Sequence, residues 1–293
     1  MAQKPLEEDQ KYKHNSETNN PFDLRKPENV TRLYAQKLAC DLSRLRSEYE
    51  SACLSVERNT ALLEIAQEGE QAAEQAHETY EVATTVIAEG QAILHELDKP
   101  ENNGIATEAK ESLKKTVNEV ITSTIENVKT SQKYSRKTAQ IYDSIQSQPN
   151  CEPTDFTKSL RETKDSSHIT TESLAQVNEA LGLMRKAKSE LKIEVVSATP
   201  PNNKAAYERA KKILETESGF SLSDSESFRN EMRDRVEDAR NILQVSVEKR
   251  DSAKVNLDHM EAAVEAVMKQ QGSQPQNLFK GSAPAIESLR LAQ

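Results

Sequence analysis

Apolar positions recur along this chain every three or four residues, the spacing that lays one narrow stripe along a helix. Leu38, Leu42, Leu45, Tyr49, Ala52 and Val56 step by four, three, four, three and four. After a shift of frame, Leu62, Ala66, Gly69, Ala73, Ala76, Tyr80, Ala83, Ile87, Gly90, Leu94 and Leu97 resume the step. Alternating steps of three and four define a coiled-coil seam. The slip between Val56 and Leu62 predicts a change of supercoil or of packing partner near Asn59. Pro27 suits the first turn of a helix and no further proline occurs before Pro100, so the pattern predicts one very long N-terminal helix over 27–98.

The run from Asp98 to Gly104, DKPENNG, has the composition of a turn. A second helix is predicted over 105–146, with Leu113, Val117, Val120, Val128, Tyr142 and Ile145 on its stripe. A third follows over 154–197, carrying Leu160, Leu174, Val177, Leu181, Met184, Leu191 and Val195. Its first half is weak, because Ser166, Ser167, His168, Thr170 and Thr171 stand where leucine is expected. Thr199-Pro-Pro-Asn-Asn203 breaks the chain before a short helix over 204–217. A loop over 218–225 leads to a last long helix over 226–271, with Phe228, Met232, Val236, Ala239, Leu243, Ala253, Leu257, Met260, Val264 and Val267 in step. Residues 1–26 show no period and read as a flexible arm. Residues 272–293 read as a mobile tail in which Ile286, Leu289 and Leu291 can form one docking turn. The expected fold is all-α: an elongated antiparallel helical bundle or coiled coil, since short turns make consecutive long helices antiparallel neighbours. The first helix outlasts its partners, so its N-terminal part must pack on the short helix, the last helix or a second copy.

Composition agrees with narrow seams. Of 293 residues, 35% are hydrophobic, 30% charged and 4% aromatic, with no Trp and seven Gly, too little for a thick core. No apolar run approaches the roughly 18–20 residues of a membrane span, and the first twenty residues lack a signal core. A soluble protein, cytoplasmic or delivered by a leaderless secretion route, is therefore expected. Cys40, Cys53 and Cys151 are odd in number and have no C-x-x-C spacing, so neither a disulfide framework nor a zinc site is indicated.

Candidate chemistry is sparse. Glu74 and His77 make one Glu-x-x-His motif, whereas a ferritin-like di-iron site needs two. His95, His168 and His259 have Ala92, Asp165 and Asn256 three residues earlier and complete no second motif. There is no G-x-S-x-G and no glycine-rich phosphate loop. No catalytic, cofactor-binding or metal-ligating residue is assigned, and no cofactor is expected.

Charge is more informative. Between Asn59 and Asp98 there is no Lys or Arg but nine acids, equal in size to the net charge of −9. Such a surface disfavours nucleic acid, whose phosphates call for the opposite sign. If the first two helices reverse near residue 102, the block from Lys129 to Lys137 lies opposite about residues 67–75. That predicts a charge face of Glu64, Glu68, Glu70, Glu74, Glu78 and Glu81, met by Lys129, Lys133, Arg136 and Lys137 across the hairpin or by an external basic partner. The small seam residues Ala66, Gly69, Ala73 and Ala76 predict close approach of a neighbouring helix.

These features point to a non-enzymatic structural or scaffold protein, an assembly subunit or a secreted effector, binding protein partners through helix faces, self-association included. The alternative is a membrane-binding curved dimer similar in outline to the BAR-domain family. Lys129, Lys133, Arg136, Lys137, Arg185, Lys186, Lys188 and Lys192 would form its basic face, though the net negative charge weighs against membrane. A metal-dependent enzyme built on Glu74 and His77 is the third expectation.

Overall fold

The structure, a computed structural model, describes residues 27–99, 107–148, 153–191 and 204–272. Among the described residues the protein is all-α, with helices α1 (Pro27–Asp98), α2 (Thr107–Gln146), α3 (Pro153–Glu190), α4 (Lys204–Ser218) and α5 (Leu222–Gly272) and no strand. The N-terminal arm, the turn over 100–104, the end of the expected third helix including Val195, and the tail with Ile286, Leu289 and Leu291 lie outside the described residues.

The α4–α5 junction is shorter than the expected loop over 218–225. Gly219 takes a φ of 76° and donates its N–H to the Glu215 carbonyl at 3.0 Å, the left-handed stop that glycine adopts without strain. Three residues later α5 has begun. The Asp224 N–H donates to Ser221 Oγ at 3.0 Å and the Ser221 N–H donates to Asp224 Oδ2 at 3.2 Å, a reciprocal capping box. The end of α2 is closed differently, by Arg58, whose guanidinium donates to the Gln148 carbonyl at 2.9 Å.

The helices divide into two packed units, with α1 changing partner between Leu54 and Ser55, close to the frame slip in its seam. In the first unit the part of α1 up to Leu54 pairs with α5 from Val247 onward. Ala35, Leu38, Leu42 and Leu45 meet Leu257 and Val264, with Tyr49, Met260 and Val267 at the flank. Arg46 bonds Glu261 at 3.0 Å and Lys254 sits 5.5 Å from the Tyr49 ring centre, so the two segments run antiparallel. The overhang of α1 thus packs on the last helix.

The second unit, residues 55–246, places the rest of α1 against α2, α3, α4 and the first half of α5. Asp98 pairs with Lys114 at 2.9 Å and the Ala76 carbonyl accepts from Gln132 at 3.3 Å, so α2 descends as α1 ascends, with Gln132 about one helical turn beyond the position 72 that a reversal near 102 predicts for it. Helix α3 ascends with α1, since Gln75 meets Thr170 and Glu89 meets Lys188. Helix α5 descends, Glu74 meeting Arg229 and Asn59 meeting Ser246. One apolar cluster gathers Leu62, Ile65, Tyr142, Ile145, Phe156 and Val236. Another gathers Tyr80, Ile87, Ile93, Val128, Val177 and Met184, closed by Ala210 and Leu214 of α4. A third, small cluster of Ala73, Ala139, Phe228 and Met232 accompanies buried Ser131, Gln132, Ser135 and Thr138.

Candidate functional site: the acidic stretch of α1 and the layer behind it

Residues 64–81 of α1 show two faces. Glu64, Glu74, Glu78 and Glu81 are exposed and Glu68 and Glu70 half-buried, while Ala66, Gly69, Ala73 and Ala76 are buried against neighbouring helices. A Cβ added to Gly69 would lie 2.4 Å from Met232 Cε and 3.1 Å from Thr138 Oγ1, so α2 and α5 both approach this small seam closely.

The acids find partners other than those expected. Glu74 bonds Arg229 at 3.3 Å and Glu70 lies 3.6 Å from Arg233, both on α5, instead of meeting Lys133 and Arg136. The hairpin register is shifted by about one turn from that expected, with Gln132 at Ala76, and α2 presents a different face. Ser131, Gln132, Ser135 and Thr138 turn inward, which leaves Lys133, Arg136 and Lys137 on the opposite, exposed side. Lys129 pairs with Glu126 of its own helix at 2.7 Å, and Lys133 lies over the neighbouring Tyr134 ring. Arg136 stacks 5.1 Å from the centre of Phe220 and 5.7 Å from that of Phe228, bracing the α4–α5 junction. Among the described residues Glu64, Glu68, Glu78 and Glu81 have no Lys or Arg within ion-pair distance, and the nearest contact of this kind is His77 Nε2, 3.9 Å from Glu81.

The Glu-x-x-His motif is split between these faces: Glu74 is exposed and bonded to Arg229, whereas His77 is buried and its Nδ1 has no protein partner. Among the described residues no three His, Cys, Asp or Glu side chains gather where they could hold an ion. The basic face of the membrane reading loses Lys188, which is 1% exposed and bonded to Glu89 at 6% exposure; Arg185 and Lys186 are exposed and Lys192 lies outside the described residues. No described helix is long and apolar enough to cross a membrane.

The buried Glu89–Lys188 pair is absent from the sequence expectation, although a signal exists for Lys188. Lys188 follows Met184 by four and precedes Leu191 by three, a stripe position that periodicity reserves for an apolar residue, whereas Glu89 lies off the stripe of Ile87, Gly90 and Leu94 and gives no such signal.

Behind the acidic face lies a polar layer. Ser131, Gln132, Ser135 and Thr138 of α2 are buried, as are Thr163, Ser166, Ser167, Thr170 and Ser173 of α3. Most of these hydroxyls donate to carbonyls of their own helix: Thr138 to Ser135, Thr163 to Ser159, Ser166 to Glu162 and Ser173 to Ile169, at 2.6 to 3.0 Å. Gln132 crosses between helices, donating to the Ala76 carbonyl and, at 3.0 Å, to Ser225 Oγ. Burial pushes the Tyr80 hydroxyl well above the ordinary tyrosine range, with Glu215, Tyr207 and Asp224 adding to the shift, and burial likewise raises Tyr207 and Tyr142. These phenols stay protonated.

No family model, no curated protein and no solved structure matches this chain.

Proposed function

We propose that this chain is a non-enzymatic helical protein that works as a scaffold, assembly subunit or effector by binding another protein through its helix faces. In this reading the second unit is an antiparallel bundle and the first a coiled-coil pair, each including part of one very long first helix. The observation that supports it is the outward face of α1. Glu64, Glu78 and Glu81 are exposed and, among the described residues, without Lys or Arg at ion-pair distance, while Glu70, Glu74 and Glu89 are matched by α5 and α3. An acidic stripe on a helix suits a basic helix or basic protein surface, where complementary charge speeds encounter and fixes register more than it adds affinity. Self-association is included in this reading; nucleic acid and membrane are not.

The test is a Glu64→Lys/Glu78→Lys/Glu81→Lys variant, compared with the unchanged chain in affinity capture at low and moderate salt. Retained helical circular dichroism with loss of the salt-sensitive partner supports the reading. An identical set of partners captured by both proteins removes it.

A further inference from the structure

The middle of α3 is held unusually lightly. Its inward positions from Thr163 to Ser173 are Thr, Ser, Ser, Thr and Ser, all buried, so little apolar surface leaves water when this stretch docks. The run Ser166-Ser167-His168-Ile169-Thr170-Thr171 also has low intrinsic helix propensity throughout. Stronger apolar anchors stand on either side, Phe156 and Leu160 before it and Val177 and Met184 after it.

Both side-chain hydrogen bonds described between this stretch and another helix end on one atom, Gln75 Oε1 of α1. Thr170 Oγ1 lies 2.7 Å and Thr171 Oγ1 2.9 Å from it. The same hydroxyls also lie 2.6 Å and 3.1 Å from the Ser167 carbonyl of their own helix. A hydroxyl has one proton to donate, so each threonine chooses between an acceptor on α1 and one on α3.

We propose that Gln75, Thr170 and Thr171 form a two-position clasp governing local opening of the middle of α3. In the closed position the threonines donate to Gln75 and tie α3 to α1. In the open position they donate to the Ser167 carbonyl or to water, and Gln75, which is only half-buried, turns to solvent. Because Thr163, Ser166 and Ser173 already bond within α3, separation strands none of their hydroxyls. The clasp therefore separates two states that differ little in hydrogen bonding, as a switchable element requires.

Hydrogen exchange by mass spectrometry on the full chain tests this. In the unchanged protein, amides of 163–173 are expected to exchange by local opening, faster than those of 117–128. Gln75→Ala should raise exchange over 163–173 about fivefold to tenfold, the weight of one or two modest hydrogen bonds, and leave 117–128 unchanged. The shape-conserving pair Thr170→Val/Thr171→Val should reproduce that local effect, and it keeps the test available if Gln75→Ala folds poorly. Equal protection of 163–173 and 117–128 in the unchanged protein would overturn the proposal, as would an effect of either variant spread evenly over residues 55–246.

Discussion

Glu89 and Lys188 show at single-residue scale what the interior tolerates. Two charges taken out of water together lose hydration that their attraction only partly returns, so the pair adds little net stability. Removing one partner is a different matter. Lys188→Met leaves the Glu89 carboxylate buried without a cation and should cost about 3–5 kcal/mol in urea unfolding, whereas Glu89→Leu/Lys188→Met should recover most or all of that loss. A single variant as stable as the double would mean that Glu89 finds water. Glycine positions give a contrasting pair. A Cβ at Gly182 meets nothing within 4 Å on an exposed helix face, so Gly182→Ala should stabilise by about 0.5–1 kcal/mol through helix propensity alone. At Gly69 the same change must displace Met232 Cε and crowd Thr138, so its gain should be smaller in parallel melts.

At the scale of elements, the start of α5 depends on the reciprocal bonds of Ser221 and Asp224. Ser221→Ala should cost about 1 kcal/mol, the usual weight of an N-cap. The hydrogen bonds from Ser221 hold the Asp224 carboxyl below the ordinary aspartate range. A depressed folded-state value means that its contribution is full above the unfolded aspartate range and is lost as pH falls through the folded one. Thermal midpoints followed from neutral pH downward should fall less steeply in Ser221→Ala than in the unchanged chain. This junction also shows where sequence reading failed: a Ser-rich run looks like loop, and only the spacing of Ser221 to Asp224 distinguishes a cap. The helix order and the seam of α1 were legible because apolar steps of three and four are unambiguous over so many turns. The α1–α2 register was legible only to within about one turn, since the chain between the two helices does not reverse about the residue that composition alone marks as the turn. The inward face of α2 was not, because Ser131, Ser135 and Thr138 carry the seam with hydroxyls, and a reading that follows apolar residues passes over them. For that reason partners for Glu70 and Glu74 were sought on α2, whereas Arg229 and Arg233 of α5 meet them.

At the scale of the whole molecule, the two units differ in how much they bury. The first closes over Ala35, Leu38, Leu42, Leu45, Leu257 and Val264, one seam between two helices. The second encloses three apolar clusters contributed by all five helices. Apolar burial is the main favourable term in folding, and it must offset about 1–2 kcal/mol of backbone entropy for each ordered residue. Among the described residues the first unit is one helix pair, which meets that cost poorly, since each helix covers only one side of the other. The salt bridge of Arg46 with Glu261 is partly exposed and, as such pairs usually do, should add only about 0.2–1 kcal/mol. Opening of the first unit should therefore require less free energy than opening of the second. Hydrogen exchange in rising urea should show the amides of 35–49 and 257–267 opening together and before those of 83–97. Leu42→Ala, at a fully buried position, should advance exchange in the first unit's two segments while leaving 83–97 unchanged. If all these amides instead open at one urea concentration, and Leu42→Ala shifts them equally, the units unfold as one cooperative body.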